Sequence, residues 1–120
     1  MLNASLIGEL STTKKLNGSN YDMWHRKIQY LLNDREVLET LTTVIVEPKN
    51  TSSEKYNDEM TPYQEWSKKD RSARYTMLHC MHDDLIGVFK ICTTAKDIWD
   101  KLKVEYGKTF AIRLRTLYLK

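Results

Sequence analysis

The densest group of reactive side chains lies between His79 and Asp84, a stretch that holds two histidines, a cysteine and two aspartates. Such side chains can ligate a metal ion, and a thiol beside an imidazole can act as a nucleophile. On a helix, however, His79 and Cys80 point about 100° apart, and Cys80 falls on an apolar stripe. The pattern therefore favours a buried structural thiol between solvated histidines over a metal centre or a nucleophile.

Short catalytic motifs are missing from the sequence as well. It contains no GxxxxGK[ST] or GxGxxG phosphate-binding loop, no HExxH and no GxSxG. The sequence thus predicts a protein that is not an enzyme, with no catalytic residue, no metal ligand and no cofactor.

Residues 101–120 carry six cations and a single anion, Glu105, in a chain whose formal net charge is +3. Such a basic stretch can contact RNA or an acidic partner, but it is more often an ordinary solvated helix surface. The candidate contact residues are Lys101, Lys103, Lys108, Arg113 and Arg115.

The elements that must position these residues are helices, because apolar residues recur at separations of three and four through most of the chain. The β-branched run Thr42–Val46 has no partner strand in the sequence, so we interpret it as an extended connector. The sequence predicts an all-α fold, a compact orthogonal bundle of about five helices. The residues expected in its core are Trp24, Ile28, Trp66, Met77, Trp99, Leu102 and Tyr106.

One charged residue, Asp70, falls on the apolar stripe of a long predicted helix and needs a partner there. Arg74 on the next turn and Arg26 on another helix are both candidates. The indole N–H groups of the tryptophans also need acceptors, and Asp22, Asp70 and Asp100 are plausible ones.

Segments without helical periodicity suggest the boundaries of the domain. Residues 1–15 are expected to form a flexible lead-in, and residues 16–120 the folded domain. Inside it, residues 47–60 show no period and are predicted to be a mobile connector. Thr61-Pro62 then has the composition of a helix start.

Gly107 is expected to end a helix, after which residues 109–120 begin a further one. The apolar pattern of that helix, with Leu114, Leu117 and Tyr118, is interrupted where the chain stops, which suggests a longer parent. These side chains are predicted to mediate self-association or to contact a second lobe. The alternative, that this helix folds back onto the core of the domain, stays open.

Composition limits the class of protein further. The 120 residues are 41% hydrophobic and 29% charged, as in a soluble globular domain. No apolar run approaches the ~20 residues that span a bilayer. Two cysteines, Cys80 and Cys92, are too few for a disulfide framework and favour a reducing compartment, so we expect a cytoplasmic protein without membrane contact.

Three groups of residues follow one another along the chain. They are Leu16-Asn17-Gly18-Ser19-Asn20-Tyr21-Asp22-Met23-Trp24 with Lys27-Ile28 and Leu31-Leu32; Trp66 with Lys69-Asp70, Ala73, Leu78 and Met81-His82-Asp83-Asp84-Leu85-Ile86; and Thr94-Ala95-Lys96-Asp97-Ile98-Trp99-Asp100-Lys101-Leu102 with Tyr106. In this order they resemble signatures of the Gag polyprotein of copia-type LTR retrotransposons, notably those of plants. The resemblance covers residues 14–120.

This resemblance implies a helical lobe like the N-terminal lobe of a capsid protein, which self-associates into the shell of a virus-like particle. The expected partners are further copies of the chain or full-length Gag. A zinc knuckle, which usually follows in the family, is not among these 120 residues, so RNA is expected to bind only weakly. The alternative is a co-opted, domesticated host protein that binds an unknown host protein or interferes with Gag assembly.

Overall fold

A computed structural model describes the backbone of residues 2–49 and 53–119 and the side chains of residues 6–49 and 58–107. The elements are α1 (Leu2–Ser11), α2 (Tyr21–Asp34), a 3₁₀ helix (Leu38–Leu41), α3 (Ser53–His79), α4 (Asp83–Phe89) and α5 (Ala95–Leu119). These five α-helices, with no β-strand in the described residues, confirm the predicted all-α fold.

Helix α1 corrects the expectation that residues 1–15 are a flexible lead-in. Leu10 is fully buried, Leu6 and Ile7 pack against the same core, and α1 lies on α2. An isolated helix of this length is unstable in water, so its order comes from this tertiary packing. The short apolar pattern alone does not reveal that packing.

Helix α2 buries the apolar stripe that its spacing predicts: Tyr21, Trp24, Ile28, Leu31 and Leu32. It ends in a Schellman motif, in which the Val37 N–H donates to the Leu32 carbonyl and the Glu36 N–H to the Asn33 carbonyl, both at 3.0 Å. Glu36 adopts a left-handed φ of 61°, a conformation usually taken by glycine at this position. The motif turns the chain into the 3₁₀ helix.

Helix α3 begins at Ser53, two turns before the predicted start at Thr61-Pro62. Residues 53–60 of the predicted connector 47–60 are therefore helical. Pro62 lies inside the helix, where it lacks the N–H that would bond the carbonyl of residue 58. The helix continues through this position with one backbone hydrogen bond fewer.

Helix α5 also differs from expectation, because it runs without a break from Ala95 to Leu119. Gly107 does not end it, and residues 109–120 do not begin a separate helix. A glycine costs a helix only about 1 kcal/mol relative to alanine, which good helix formers on both sides can offset.

The junction between α3 and α5 is built on Asp70, whose side chain is almost completely buried. Its Oδ1 accepts a hydrogen bond from the Ala95 N–H at 2.7 Å, and its Oδ2 accepts one from Nε of Arg74 at 3.0 Å. A carboxylate at the first residue of a helix satisfies a free N–H and opposes the positive end of the helix dipole. The predicted Arg74 partner is confirmed, whereas the hydrogen bond of Asp70 to α5 was not predicted from the sequence.

The structure buries most of the residues expected in the core: Trp24, Ile28, Met77, Trp99 and Leu102. Tyr106 is half-buried and packs against the edge of that core. Trp66 is a correction, because it is only half-buried and lies outside the core cluster. Its indole packs over the connector that follows the 3₁₀ helix, and Nε1 donates to the Thr43 carbonyl at 2.9 Å.

Because Trp99 and Trp66 differ in burial, their truncation should differ in cost. We expect Trp99→Ala to lower the free energy of unfolding by about 3–5 kcal/mol, as for other buried aromatic residues. Trp66→Ala should cost about 1–2 kcal/mol, since it removes half-exposed surface and one hydrogen bond. Urea unfolding followed by circular dichroism measures both values. Equal losses would contradict this assignment of the core.

The Asp70 junction gives a second prediction. Asp70→Ala should lower the free energy of unfolding by about 2–4 kcal/mol, because it leaves the Ala95 N–H and the Arg74 guanidinium without their buried partner. Asp100→Ala is the matched control, since it breaks an exposed pair with Lys96 and should cost less than about 1 kcal/mol. A similar small loss for both variants would show that the buried carboxylate does not hold the junction.

Candidate interaction surfaces

The His79–Asp84 group does not converge on one point. Cys80 is fully buried, and burial raises the pKa of its thiol to about 11, whereas His79, His82 and Asp83 are exposed. In the described part of the chain, no three His, Cys, Asp or Glu side chains lie close enough to hold a metal ion. A thiol with a raised pKa is a poor nucleophile at neutral pH.

The structural role of this segment lies in the backbone of Cys80. Its carbonyl accepts hydrogen bonds from the Leu16 N–H and from Nε1 of Trp24, each at 2.9 Å. The Leu16 carbonyl in turn accepts from the His82 N–H at 2.9 Å. The predicted aspartate acceptor for the Trp24 indole is therefore replaced by a backbone carbonyl, which ties α2 to the end of α3.

Four rings form an aromatic cluster between α2 and α5: Tyr21, His25, Trp99 and Tyr106. His25 stacks on Trp99 with ring centroids 4.5 Å apart and an interplanar angle of 14°. The centroids of Tyr21 and Tyr106 are 5.7 Å apart. Gly18, with a φ of +91°, lies in the loop before α2, at the point where this loop passes the Tyr106 ring. The cluster thus joins the loop before α2 to the middle of α5.

The cluster holds its histidine in the neutral form. Burial, and second the nearby Lys103 ammonium, lower the pKa of His25 below its ordinary value of 6.5. Burial raises the pKa of Tyr21 to about 12, so its hydroxyl stays protonated at neutral pH. The hydroxyl oxygen lies 2.9 Å from Nδ1 of His25, and the two groups share a hydrogen bond in which the tautomer of the imidazole decides the donor.

The candidate cations on α5 fall into two groups. The Lys101 ammonium lies 5.6 Å from the Phe89 ring centroid, and the Lys103 ammonium lies 5.8 Å from the Trp99 ring centroid. Both therefore face aromatic rings of the domain as well as solvent. The side chains of Lys108, Arg113 and Arg115 lie outside the described side chains.

The candidate self-association residues Leu114, Leu117 and Tyr118 also lie outside the described side chains. Their backbone belongs to α5, which continues for about three turns beyond Gly107. The structure therefore places them on the same helix as Trp99 and Leu102.

A surface that sequence reasoning missed lies beside Trp66. The connector that follows the 3₁₀ helix borders a cleft of about 240 Å³, whose lining includes Thr43, Ile45, Pro62 and Trp66. On this connector Val44 is 42% exposed and Val46 is 78% exposed, whereas Ile45 is half-buried. The β-branched composition signalled an extended chain, but its exposure depends on where α3 lies.

The described residues thus form a helical domain whose distinctive surface features are exposed apolar side chains and a basic helix, as in structural and interaction proteins. A model of the family described as gag-polypeptide of LTR copia-type matches residues 28–120, more than three quarters of the chain. The chain belongs to this copia-type Gag family, which consists of structural, capsid-related proteins, and the resemblance drawn from the sequence is confirmed.

No curated protein and no solved structure matches the chain. Across the residues described, none of the helices is both long enough and apolar enough to cross a membrane.

The lowered pKa of His25 predicts a loss of stability in acid. Below pH 6.5 the unfolded chain binds a proton at this histidine more readily than the folded chain does, so the free energy of unfolding falls as the pH falls. In His25→Phe the ring can still stack on Trp99 but cannot be protonated, and this variant should show a smaller fall. Thermal melting between about pH 8 and pH 5 measures the difference.

His79→Gln is the control for this experiment, because His79 is exposed and lies outside the aromatic cluster. Its melting temperature should follow that of the parent protein at each pH. If His25→Phe also follows the parent, the acid sensitivity does not arise at His25.

Proposed function

We propose that the chain is a non-enzymatic, Gag-like capsid domain that self-associates in the assembly of a retrotransposon particle. The observation that carries this proposal is the match to the copia-type Gag family over residues 28–120. The all-helical fold of the described residues agrees with such a role. The proposed location is the cytoplasm.

The mechanism is geometric and involves no covalent step. A symmetric assembly requires that each copy present the same surfaces at the same relative orientation. The bonds of Asp70 to α5 and of the Cys80 carbonyl to Trp24 hold three helices in fixed positions. This rigidity supports a domain whose contacts repeat from copy to copy.

We assign one contact between copies to the far end of α5. Leu117 and Tyr118 follow Leu114 by three and four residues, so all three lie on one side of a helix. The proposed partner is another copy of the chain or full-length Gag. The basic residues along the same helix support a weak contact with RNA or with an acidic partner: Lys101, Lys103, Lys108, Arg113 and Arg115.

The alternative function is that of a co-opted Gag-derived host protein. Such a protein would use the same surfaces to bind a host protein or to enter and interrupt an assembly of full-length Gag. The two functions differ in one result, because an interfering chain would lower the yield of sedimenting particles when mixed with full-length Gag. A structural chain would co-sediment with them at an unchanged yield.

Replacing Leu114 and Leu117 together by Ser tests the contact at α5. We expect sedimentation velocity to show association of the parent protein that rises with concentration, and a monomeric double variant with an unchanged melting temperature. Val104→Ser is the matched control, since Val104 is a 57% exposed apolar residue on the same helix. It should associate like the parent.

Two outcomes would contradict this assignment. A double variant that melts well below the parent would place the two leucines in the core of the domain. A double variant that is stable but still associates would place the contact elsewhere.

A further inference from the structure

The loop before α2 contains a pair of residues that can react with each other. Of the six asparagines in the sequence, only Asn17 is followed by a glycine, Gly18. A glycine has no Cβ, so its backbone nitrogen is open to approach by the preceding side chain. Bond formation between that nitrogen and an asparagine side chain is the first step of deamidation. Asn17 is exposed and Gly18 is half-buried, so water reaches this part of the loop.

The side chain of Asn17 folds back over the residues that follow it. Its Oδ1 accepts hydrogen bonds from the Ser19 N–H at 2.9 Å and from the Ser19 hydroxyl at 2.8 Å. The first of these bonds closes an Asx turn, a ring of atoms that includes both Cγ of Asn17 and the nitrogen of Gly18. All five atoms of the succinimide that deamidation forms belong to this larger ring. The turn therefore keeps the two reacting atoms close together.

The two donors of Ser19 lie where negative charge develops during the reaction. When the nitrogen of Gly18 bonds to Cγ of Asn17, the electron pair of the amide C=O moves onto Oδ1. Both donors already bond this oxygen, at distances that suit an oxyanion hole. Among the described residues the Gly18 N–H has no acceptor, so no hydrogen bond there opposes the loss of its proton.

We propose that Asn17 is a site of spontaneous deamidation and that Ser19 assists the reaction. Hydroxide from the solvent removes the proton of the Gly18 N–H, and the nitrogen bonds to Cγ of Asn17. The bond from Cγ to Nδ2 then breaks, and Nδ2 takes up a proton and leaves as ammonia. Water adds to one of the two carbonyl groups of the resulting succinimide and opens the ring. This inference does not depend on self-association.

The two directions of ring opening give different products. Opening at Cγ restores the original main chain and leaves an aspartate at position 17. Opening at the main-chain carbonyl leaves an isoaspartate, whose main chain runs through Cβ and Cγ and is one atom longer. Both products carry a negative charge that the asparagine lacks. Only the isoaspartate changes the path of the backbone.

The loop is held on both sides of the reacting bond, so a longer main chain does not fit without a rearrangement. Before it, the backbone of Leu16 is bonded to the segment that follows α3. After it, the side chain of Asn20 donates from Nδ2 to the Lys15 carbonyl at 2.9 Å and accepts at Oδ1 from the Asn17 N–H at 3.0 Å. An extra atom between Asn17 and Gly18 must therefore break one of these bonds or displace Gly18.

A displacement of Gly18 affects α5 as well. This glycine has a φ of +91° and lies where the loop passes the Tyr106 ring, which belongs to the aromatic cluster. The isoaspartate should therefore weaken the contact between the loop and α5. The modification would produce an older form of the domain that is more negative and less stable.

Peptide mapping by mass spectrometry tests whether Asn17 deamidates. The folded parent protein is incubated in mildly alkaline buffer, digested and analysed at intervals. We expect a gain of about one dalton, from replacement of –NH2 by –OH, that fragment ions place at Asn17 and not at Asn20. Asn33, which precedes an aspartate, is the internal control and should keep its mass. No gain at Asn17, or an equal gain at Asn33, would overturn the inference.

Ser19→Ala tests the assistance, because it removes the hydroxyl donor and keeps the N–H donor. We expect deamidation of the folded variant to be roughly three- to tenfold slower than that of the parent, as for the loss of one hydrogen bond. Ser19→Thr keeps a hydroxyl and should restore the rate. In concentrated urea, where the turn is lost, all three proteins should react equally fast. Equal rates in the folded proteins, or the same slowing in urea, would overturn the role of Ser19.

The isoaspartate form, separated by chromatography, tests the effect on the loop. Asn17→Asp is the matched control, since it has the same charge and a main chain of normal length. We expect the isoaspartate form to melt several degrees below the parent, and Asn17→Asp to melt within about a degree of it. Equal melting of the isoaspartate form and Asn17→Asp would overturn the structural consequence.

Discussion

The buried carboxylate of Asp70 determines how the two long helices meet. Its bond to the Ala95 N–H fixes the first residue of α5 on the middle of α3, and Arg74 compensates the charge that this burial requires. Trp99 lies one turn after Ala95 on the same helix, so the same bond fixes the position along the α5 axis at which Trp99 stacks on His25. Burial of an ion costs several kcal/mol when it is not compensated, so an altered crossing of α3 and α5 would leave this carboxylate without its donors.

A second constraint fixes α2 at the C-terminal end of α3. The last carbonyls of a helix have no partner within the helix, and Cys80 lies just after the end of α3. Its carbonyl receives one donor from the backbone of Leu16 and one from the indole of Trp24. The contact of α3 with α5 and that of α3 with α2 thus each depend on a buried hydrogen bond whose partners lie far apart in the sequence.

This dependence on distant partners explains what could be predicted from the sequence. The stripe of α2 and the Arg74 partner of Asp70 follow from spacing, since both are decided within one helix. The start of α3 before Pro62 and the continuation of α5 through Gly107 could not be predicted in this way. A proline or glycine inside a helix costs about 1–3 kcal/mol, and the stability of the rest of a long helix outweighs that cost.

The remaining misses concern surfaces. Trp66 has the composition and spacing of a core residue, and only the path of the connector beside it leaves the indole half-buried. Glu36 adopts a conformation that its residue type does not suggest, because two backbone hydrogen bonds and the burial of Val37 stabilise the turn. The exposure of Val44 and Val46 likewise follows from the placement of α3.

A shell sets a condition that the contact proposed at α5 does not meet alone. A symmetric contact through one surface joins each copy to one other copy and then closes, so it can produce only dimers. A shell therefore needs at least one further contact per chain, in a different direction. α5 begins at Ala95, whose N–H is bonded to Asp70, and its backbone continues to Leu119, past Leu102, the last buried residue among the described side chains. The Asp70 junction thus sets the direction in which the far end of α5 leaves the core, and with it the relative orientation of any two copies that a contact there would join.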